Sequence, residues 1–554
     1  MTTDAPLTWI DAAADLAIEN HRRHKAPDEP IICASGVSPS GPIHLGNLRE
    51  IFTAHFVAEE LRRRGLPVEH IHSWDDYDRF RKVPAGAPES WSRYLGRPLS
   101  EVPDPDGVYP SWADKHIDEC ETALARLGVK MRGIRQSVEY KQRRTYVDAI
   151  DDCLRRRGEI FDVLAQYQTE KLQTKSVEER RAEFWPLRVY DPDLGTDDTT
   201  VESYEPDGRV VRYRIDATGE SRSFSLNDSC HAKLVWKVDW PMRWRHERVD
   251  FEPGGPDHSA PAGSYTVGTQ LAPLLFDWAA PAYIQYSFVG FGGAAKMSSS
   301  AGAVPTPAYA LRFMEPVLLR WLYLRRKSTS SFDISFGTQM WRAYDELDAL
   351  QRRVAKGGAN DVEVRTLERT LATSVGPMEQ PAVSVPFRTL WTAIDVSGDT
   401  PRLIARILRD SFDEDALPDD DDALLAAVEP RLSCAQSWLA EYVPEADRII
   451  ARDTFDPEVW AGLDDVQREM VGSFVTRLGD QRFTLKALEG LVYGVPKLQM
   501  GLEMGDKPSP EVKKLQRSFF IALYRLILGQ DRGPRLPTLL VSLGPDRAAA
   551  LLTP

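Results

Sequence analysis

Cysteine is scarce in this 554-residue chain, and what there is does not cluster. The five cysteines stand at positions 33, 120, 153, 230 and 434, with no pair at a metal-ligand spacing. That pattern predicts free thiols in a reducing, cytoplasmic setting and no structural zinc or other bound metal. Long apolar runs are also missing. No stretch of about eighteen apolar residues occurs, so no membrane partner is expected. The start, Met1-Thr2-Thr3-Asp4-Ala5, lacks the basic and apolar regions of a signal peptide. Positive charge is in deficit as well: 69 Lys and Arg stand against 83 Asp and Glu, a formal charge of −14. Taken alone, this argues against nucleic acid, whose phosphates need cations. Net charge is a poor guide to a local surface, however. Acidic runs such as Asp419-Asp420-Asp421-Asp422 can be remote from a binding face, and basic clusters exist at 62–64, 141–144 and 155–157. Each cluster by itself reads as a solvated helix face. What remains is an ordinary globular composition, 42% hydrophobic and 27% charged, long enough for about two to four domains.

Two segments carry chemistry. The first is Ser38-Pro39-Ser40-Gly41-Pro42-Ile43-His44-Leu45-Gly46-Asn47. It follows the apolar run Ile31–Ala34, which reads as a buried strand, and precedes residues with helical periodicity from Leu48 onward. Between them Gly36, Pro39, Gly41 and Pro42 break regular structure. A helix start presents free backbone N–H groups and a partial positive charge, which attract phosphate. His44 stands where an imidazole can donate to a phosphate oxygen. Gly46 leaves room for a flat base against the backbone. Asn47 offers both a donor and an acceptor.

The second segment is Lys296-Met297-Ser298-Ser299-Ser300, flanked by Gly292, Gly293 and Gly302. It reads as a loop able to close on a polyphosphate, with one mobile cation and three hydroxyls. Charge developing on a leaving pyrophosphate is where such a lysine contributes most. Either segment alone is weak, a turn or a flexible linker being the bland reading of each.

Residues from about 30 to 90 read as the first half of a nucleotide-binding α/β fold. A second strand near Val68–Ser73 is followed by Asp75 and Asp76, which places two carboxylates at a strand's carboxyl end, where open parallel sheets bind ligands. The expected architecture is α/β: a Rossmann-like parallel-sheet domain over 1–300 with an inserted subdomain at about 90–245, then all-α structure. The insertion includes a small β element around Val210–Ile215. A helical connecting domain is expected over 301–384, and a further α-helical domain over 385–554, with prolines at 377, 381 and 386 marking the linker.

Together, in this order, the two segments resemble the signature sequences of class I aminoacyl-tRNA synthetases. The likeness narrows to the class I lysyl-tRNA synthetases through Ser73–Pro84, Trp236–Trp244, Phe251-Glu252-Pro253, Val304–Pro307, Leu318–Tyr323 and Gly533–Leu536. The resemblance implies ATP-dependent ligation of L-lysine to tRNA(Lys) through a lysyl-adenylate, with Mg²⁺ carried by ATP. It assigns catalysis to His44, Asn47, Lys296 and Ser298. ATP falls to Pro39, Ser40, Gly41, His44, Gly46, Asn47, Lys296, Met297, Ser298, Ser299 and Ser300. It places lysine near Gly36, Ser38, Trp236, His258 and Tyr286, with Asp75 added from its place at the strand end. The alignment leaves Trp240 open against Trp236, and Tyr283 against Tyr286. It makes 385–554 the anticodon-binding domain. The oligomeric state is left open, a monomer being compatible with the sequence.

Two departures stand out. Gly255-Pro256-Asp257-His258 has Pro where the family commonly has Lys, so one cation is missing. No Cys-x-x-Cys pair occurs in the inserted region. Both leave room for a relative that activates another amino acid or serves another acceptor, and a catalytically silent tRNA-binding protein is the reading from a different class.

Overall fold

The structure is a computed structural model that describes residues 7–84, 87–167, 175–293, 304–411, 417–444, 448–479 and 483–554. It begins with α1 (Trp9–His24), β1 (Ile31–Val37), α2 (Leu45–Arg63) and β2 (Val68–Trp74). These are followed by α3 (Trp112–Arg126) and β3 (Arg132–Arg135). β1 and β2 run parallel, with Ile31 opposite Val68 and Val37 opposite Trp74. β2 in turn pairs in parallel with β3, Ile71 lying opposite Arg132. On the other flank of β1, Phe251 bridges both Cys33 and Ala282, and Gly254 bridges Gln285, all in parallel. The order is thus β3–β2–β1, then 250–254, then 282–286. The direction of winding reverses at β1, which opens a crevice at the carboxyl ends of β1 and 250–254.

Alternation along β1 builds both faces of this sheet. Ile31 and Cys33 point to one side and pack with Ala13, Ala14 and Ala17 of α1 and Val57, Ala58 and Leu61 of α2. Ile32 and Ala34 point to the other and pack with Ile71, Ile134, Trp240 and Trp244. Trp240 and Trp244 belong to the helix Trp236–His246, which lies against the helix Ser264–Phe276. Gly268 makes that approach possible, since a Cβ there would stand 2.6 Å from the Trp244 ring. Burying rings of this size contributes the largest single hydrophobic increments of the domain.

The inserted region starts later and ends earlier than the expected 90–245. β3 lies inside that range yet is a strand of the main sheet, and Trp236–His246 is part of its core. Arg132–Arg135 is too short and too charged to announce itself as a strand; pairing with β2 makes it one. Between them stand helices Val147–Arg155 and Arg157–Ala165 and an antiparallel sheet of Thr199–Glu205, Val210–Ile215 and Ser221–Ser225.

The chain forms two compact units. One takes residues 1–311, 316–335 and 350–378; the other takes 312–315, 336–349 and 379–554. The stretch expected as a separate connecting domain, 301–384, is divided between them. Every regular element wholly in the second unit is helical among the described residues. Its helices Arg431–Tyr442, Asp465–Leu478, Leu485–Leu498, Pro510–Leu528 and Leu536–Leu552 carry a core that includes Phe474, Leu491, Phe519 and Leu540. Arg431 is buried in the same unit. It pairs with Glu315, forks onto Asp348 at 2.8 and 2.9 Å, and donates to the Val385 carbonyl at 2.8 Å.

Candidate functional site

A cleft of about 380 Å³ occupies the crevice where the sheet order reverses. The end of β1 supplies Gly36 and Val37, and the loop beyond it supplies Ser38 and Ser40. The first turns of α2 supply Asn47 and Glu50. Ser73, Asp75 and Asp78 line the cleft at and beyond the end of β2, and Gln136 follows β3. Trp236, Trp240 and Arg243 come from one helix, and Arg81, Glu247, Glu252, Pro253 and His258 also line the cleft.

The start of α2 is fixed by a reciprocal cap. The His44 N–H donates to Asn47 Oδ1 at 3.1 Å, and the Asn47 N–H donates to His44 Nδ1 at 3.3 Å. α2 therefore begins at Leu45, a turn ahead of the periodicity that starts at Leu48. Burial lowers the His44 pKa to about 4, so its imidazole is neutral at pH 7. With Nδ1 accepting, the ring proton resides on Nε2.

Charge in the cleft is arranged in two ways. Glu50 accepts from the Gly36 N–H at 2.8 Å and the Tyr286 hydroxyl at 2.7 Å. No salt bridge joins it among the described residues. Burial pushes its carboxyl up to about 8, with Glu252 and Asp75 adding to the rise against the two donors. Glu252 accepts from the Trp244 indole at 2.7 Å, and burial pushes it up to about 7. Neither carboxyl has an ion-pair partner among the described residues, and burial favours the neutral form of each. The others already have one. Arg243 reaches Asp75 at 2.6 Å and Ser73 at 2.6 Å, with its guanidinium 5.0 Å from the Trp236 ring centroid. Burial disfavours the Arg243 charge, but Asp75 and Asp239 outweigh it and push its pKa well up. Asp78 takes the buried Lys233 ammonium and the Ser38 hydroxyl.

A family model described as tRNA synthetases class I (K) matches residues 7–375. Along the whole chain, 40% of residues are identical to a lysine–tRNA ligase of Streptomyces coelicolor, over 100% of this chain and 98% of that protein. One from Pyrococcus horikoshii is 33% identical over 97% of each, and one from Treponema pallidum 29% identical over 99% of this chain and 98% of its own length. The chain belongs to the class I tRNA synthetases.

In this synthetase the structure gathers many of the residues singled out in the sequence. Gly36, Ser38, Ser40, Asn47, Asp75, Trp236 and His258 all face the one cleft. Trp236 and Trp240 both line it, stacked with centroids 5.2 Å apart. His258 stands edge-on to Trp240 at 5.2 Å. Tyr286 reaches Glu50, whereas Tyr283 donates to the Gly255 carbonyl at 3.1 Å and stacks on Tyr265. Pro256 opens the short helix Pro256–Ser259, a position that suits its fixed φ. Asp75 is in the cleft but already holds Arg243. Asp76 is structural: it binds Arg135 and the Ser137 backbone, each at 2.8 Å, and so ties β2 to the end of β3. Pro39 and Gly41 lie in the loop ahead of α2, and Gly46 in its first turn. Lys296, Met297, Ser298, Ser299 and Ser300 lie outside the described residues. Sequence reasoning missed Glu50, Glu252, Arg243, Asp78 and Lys233. Asp78, Arg243 and Glu252 lay inside the segments that carry the family resemblance without being singled out, and Glu50 stands one helical turn beyond Gly46.

Proposed function

We propose that the chain ligates L-lysine to tRNA(Lys) at the expense of ATP. The observation that carries this reading is Glu50, a buried carboxyl with two fixed donors and no ion-pair partner among the described residues, on the wall of a cleft that Trp236 and Trp240 also line. Lysine fills such a site. Its ammonium supplies the missing charge and its methylenes lie against the Trp236 and Trp240 faces. In the first step the lysine carboxylate attacks the α-phosphorus of ATP, and pyrophosphate leaves with its Mg²⁺. In the second, a ribose hydroxyl of the terminal adenosine attacks the lysyl carbonyl, and AMP leaves. No protein nucleophile is needed; positioning and charge stabilisation suffice. Asn47 and the His44 Nε2–H face phosphate from the start of α2, and Lys296 from the second motif. Among the described residues no cluster of three or more His, Cys, Asp or Glu could hold a metal, and no helix is long and apolar enough to cross a membrane. The test is charging of tRNA(Lys) with labelled lysine. Lysine- and ATP-dependent labelling is expected, and its absence with purified, folded protein refutes the reading.

A further inference from the structure

We infer that Lys233 is a positioning residue that creates a second, charge-neutral ammonium subsite at Ser38, for the α-amino group of the substrate. Lys233 is buried, with 4% of its surface exposed. Its ammonium binds Asp78 Oδ1 and lies 3.9 Å from Asp239. The other Asp78 oxygen, Oδ2, accepts the Ser38 hydroxyl at 2.8 Å. Ser38 and Asp78 line the cleft, and Lys233 stands behind them.

Three consequences follow. An ionised carboxylate only accepts, so Ser38 must donate its single hydroxyl proton to Asp78. The Oγ lone pairs facing the cleft can then only accept, which selects a donor such as an ammonium and disfavours a carboxylate oxygen. Burial pushes Asp78 up, but Lys233 outweighs it and holds the carboxyl below its ordinary range, so the Ser38 proton stays oriented at neutral pH. Finally, Lys233 cancels the Asp78 charge. An α-ammonium always arrives with an α-carboxylate beside it, and a bare carboxylate in the wall would repel that neighbour. Glu50 has no such neutralising cation and suits an isolated ammonium. The cleft thus offers two ammonium positions of different character, one for each end of a diamino acid.

This rests on lysine being the substrate, and the test separates the two claims. Binding of lysine and of 6-aminohexanoate, which is lysine without its α-amino group, is measured by calorimetry on the wild type, Lys233→Met, Ser38→Ala and the double variant. The wild type is expected to prefer lysine roughly a hundredfold, the scale of a hydrogen-bonded charge. Lys233→Met is expected to cut that preference about tenfold and leave 6-aminohexanoate affinity within about twofold, which also shows that the cleft is intact. The double variant is expected to lose little beyond Ser38→Ala, because both act through one oxygen. Equal losses for both ligands in Lys233→Met, or an unchanged preference, overturn the inference. A wild type that binds 6-aminohexanoate but not lysine also overturns it. A wild type that binds neither refutes the lysine reading itself.

Discussion

Glu50 is where one side chain ties substrate to proton balance. Burial holds its carboxyl at about 8, so at pH 7 it is mostly protonated, whereas an ammonium binds the ionised form. Lysine affinity is therefore expected to rise up to tenfold per pH unit toward about 8 and then flatten. Calorimetry at pH 7 in buffers of different ionisation enthalpy should register close to one proton released per lysine; a flat profile between pH 6 and 8 contradicts this. Glu50→Gln should weaken lysine binding on the order of a hundredfold. The same residue costs stability. A carboxyl whose folded pKa is raised favours the fold below its unfolded value near 4.5 and loses that contribution as pH climbs to about 8. Without lysine, Glu50→Gln is expected to melt a few degrees above wild type at pH 8 and level with it near pH 4.5. Scanning calorimetry at the two pH values checks the sign.

The strand–loop–helix of β1 and α2 is the element that the sequence showed best. Apolar residues at 31–34, breakers at 39, 41 and 42, and periodic apolar residues from 48 are local signals, and each maps onto backbone. What pairs across the chain was not legible. Asp75 was legible only as a carboxylate at a strand end, because its partner, Arg243, lies far along the sequence. β3 was read as insertion because pairing with β2, not its own composition, makes it a strand. The second motif is still an argument from sequence: one lysine among small residues, best placed to act when charge builds on pyrophosphate. Lys296→Ala is expected to slow adenylate formation on the order of a hundredfold and to leave lysine affinity unchanged. Single-turnover kinetics with separate lysine titration decides it; near-normal turnover removes the loop from the mechanism.

At the scale of the whole molecule, an excess of acid coexists with a nucleic-acid substrate because net charge does not fix the charge of any one surface. Many carboxylates of the first unit already hold arginine or lysine, and Glu50 and Glu252 do not. The second unit contains a buried charge of its own. Arg431 is matched by Glu315 and Asp348, and removing one member of such a group leaves buried charge uncompensated. Arg431→Met is expected to lower stability by about 3–5 kcal/mol, seen as a lower denaturant midpoint; an unchanged midpoint contradicts the pairing. A helical domain was expected over 385–554 from the sequence, but no pattern in the sequence brought 315, 348 and 431 together. The most direct measurement for the account as a whole is pyrophosphate exchange into ATP across all twenty amino acids, run with and without tRNA. The account predicts that lysine drives exchange best and that Glu50→Gln abolishes that advantage. Exchange driven better by arginine, glutamate or cysteine would contradict it.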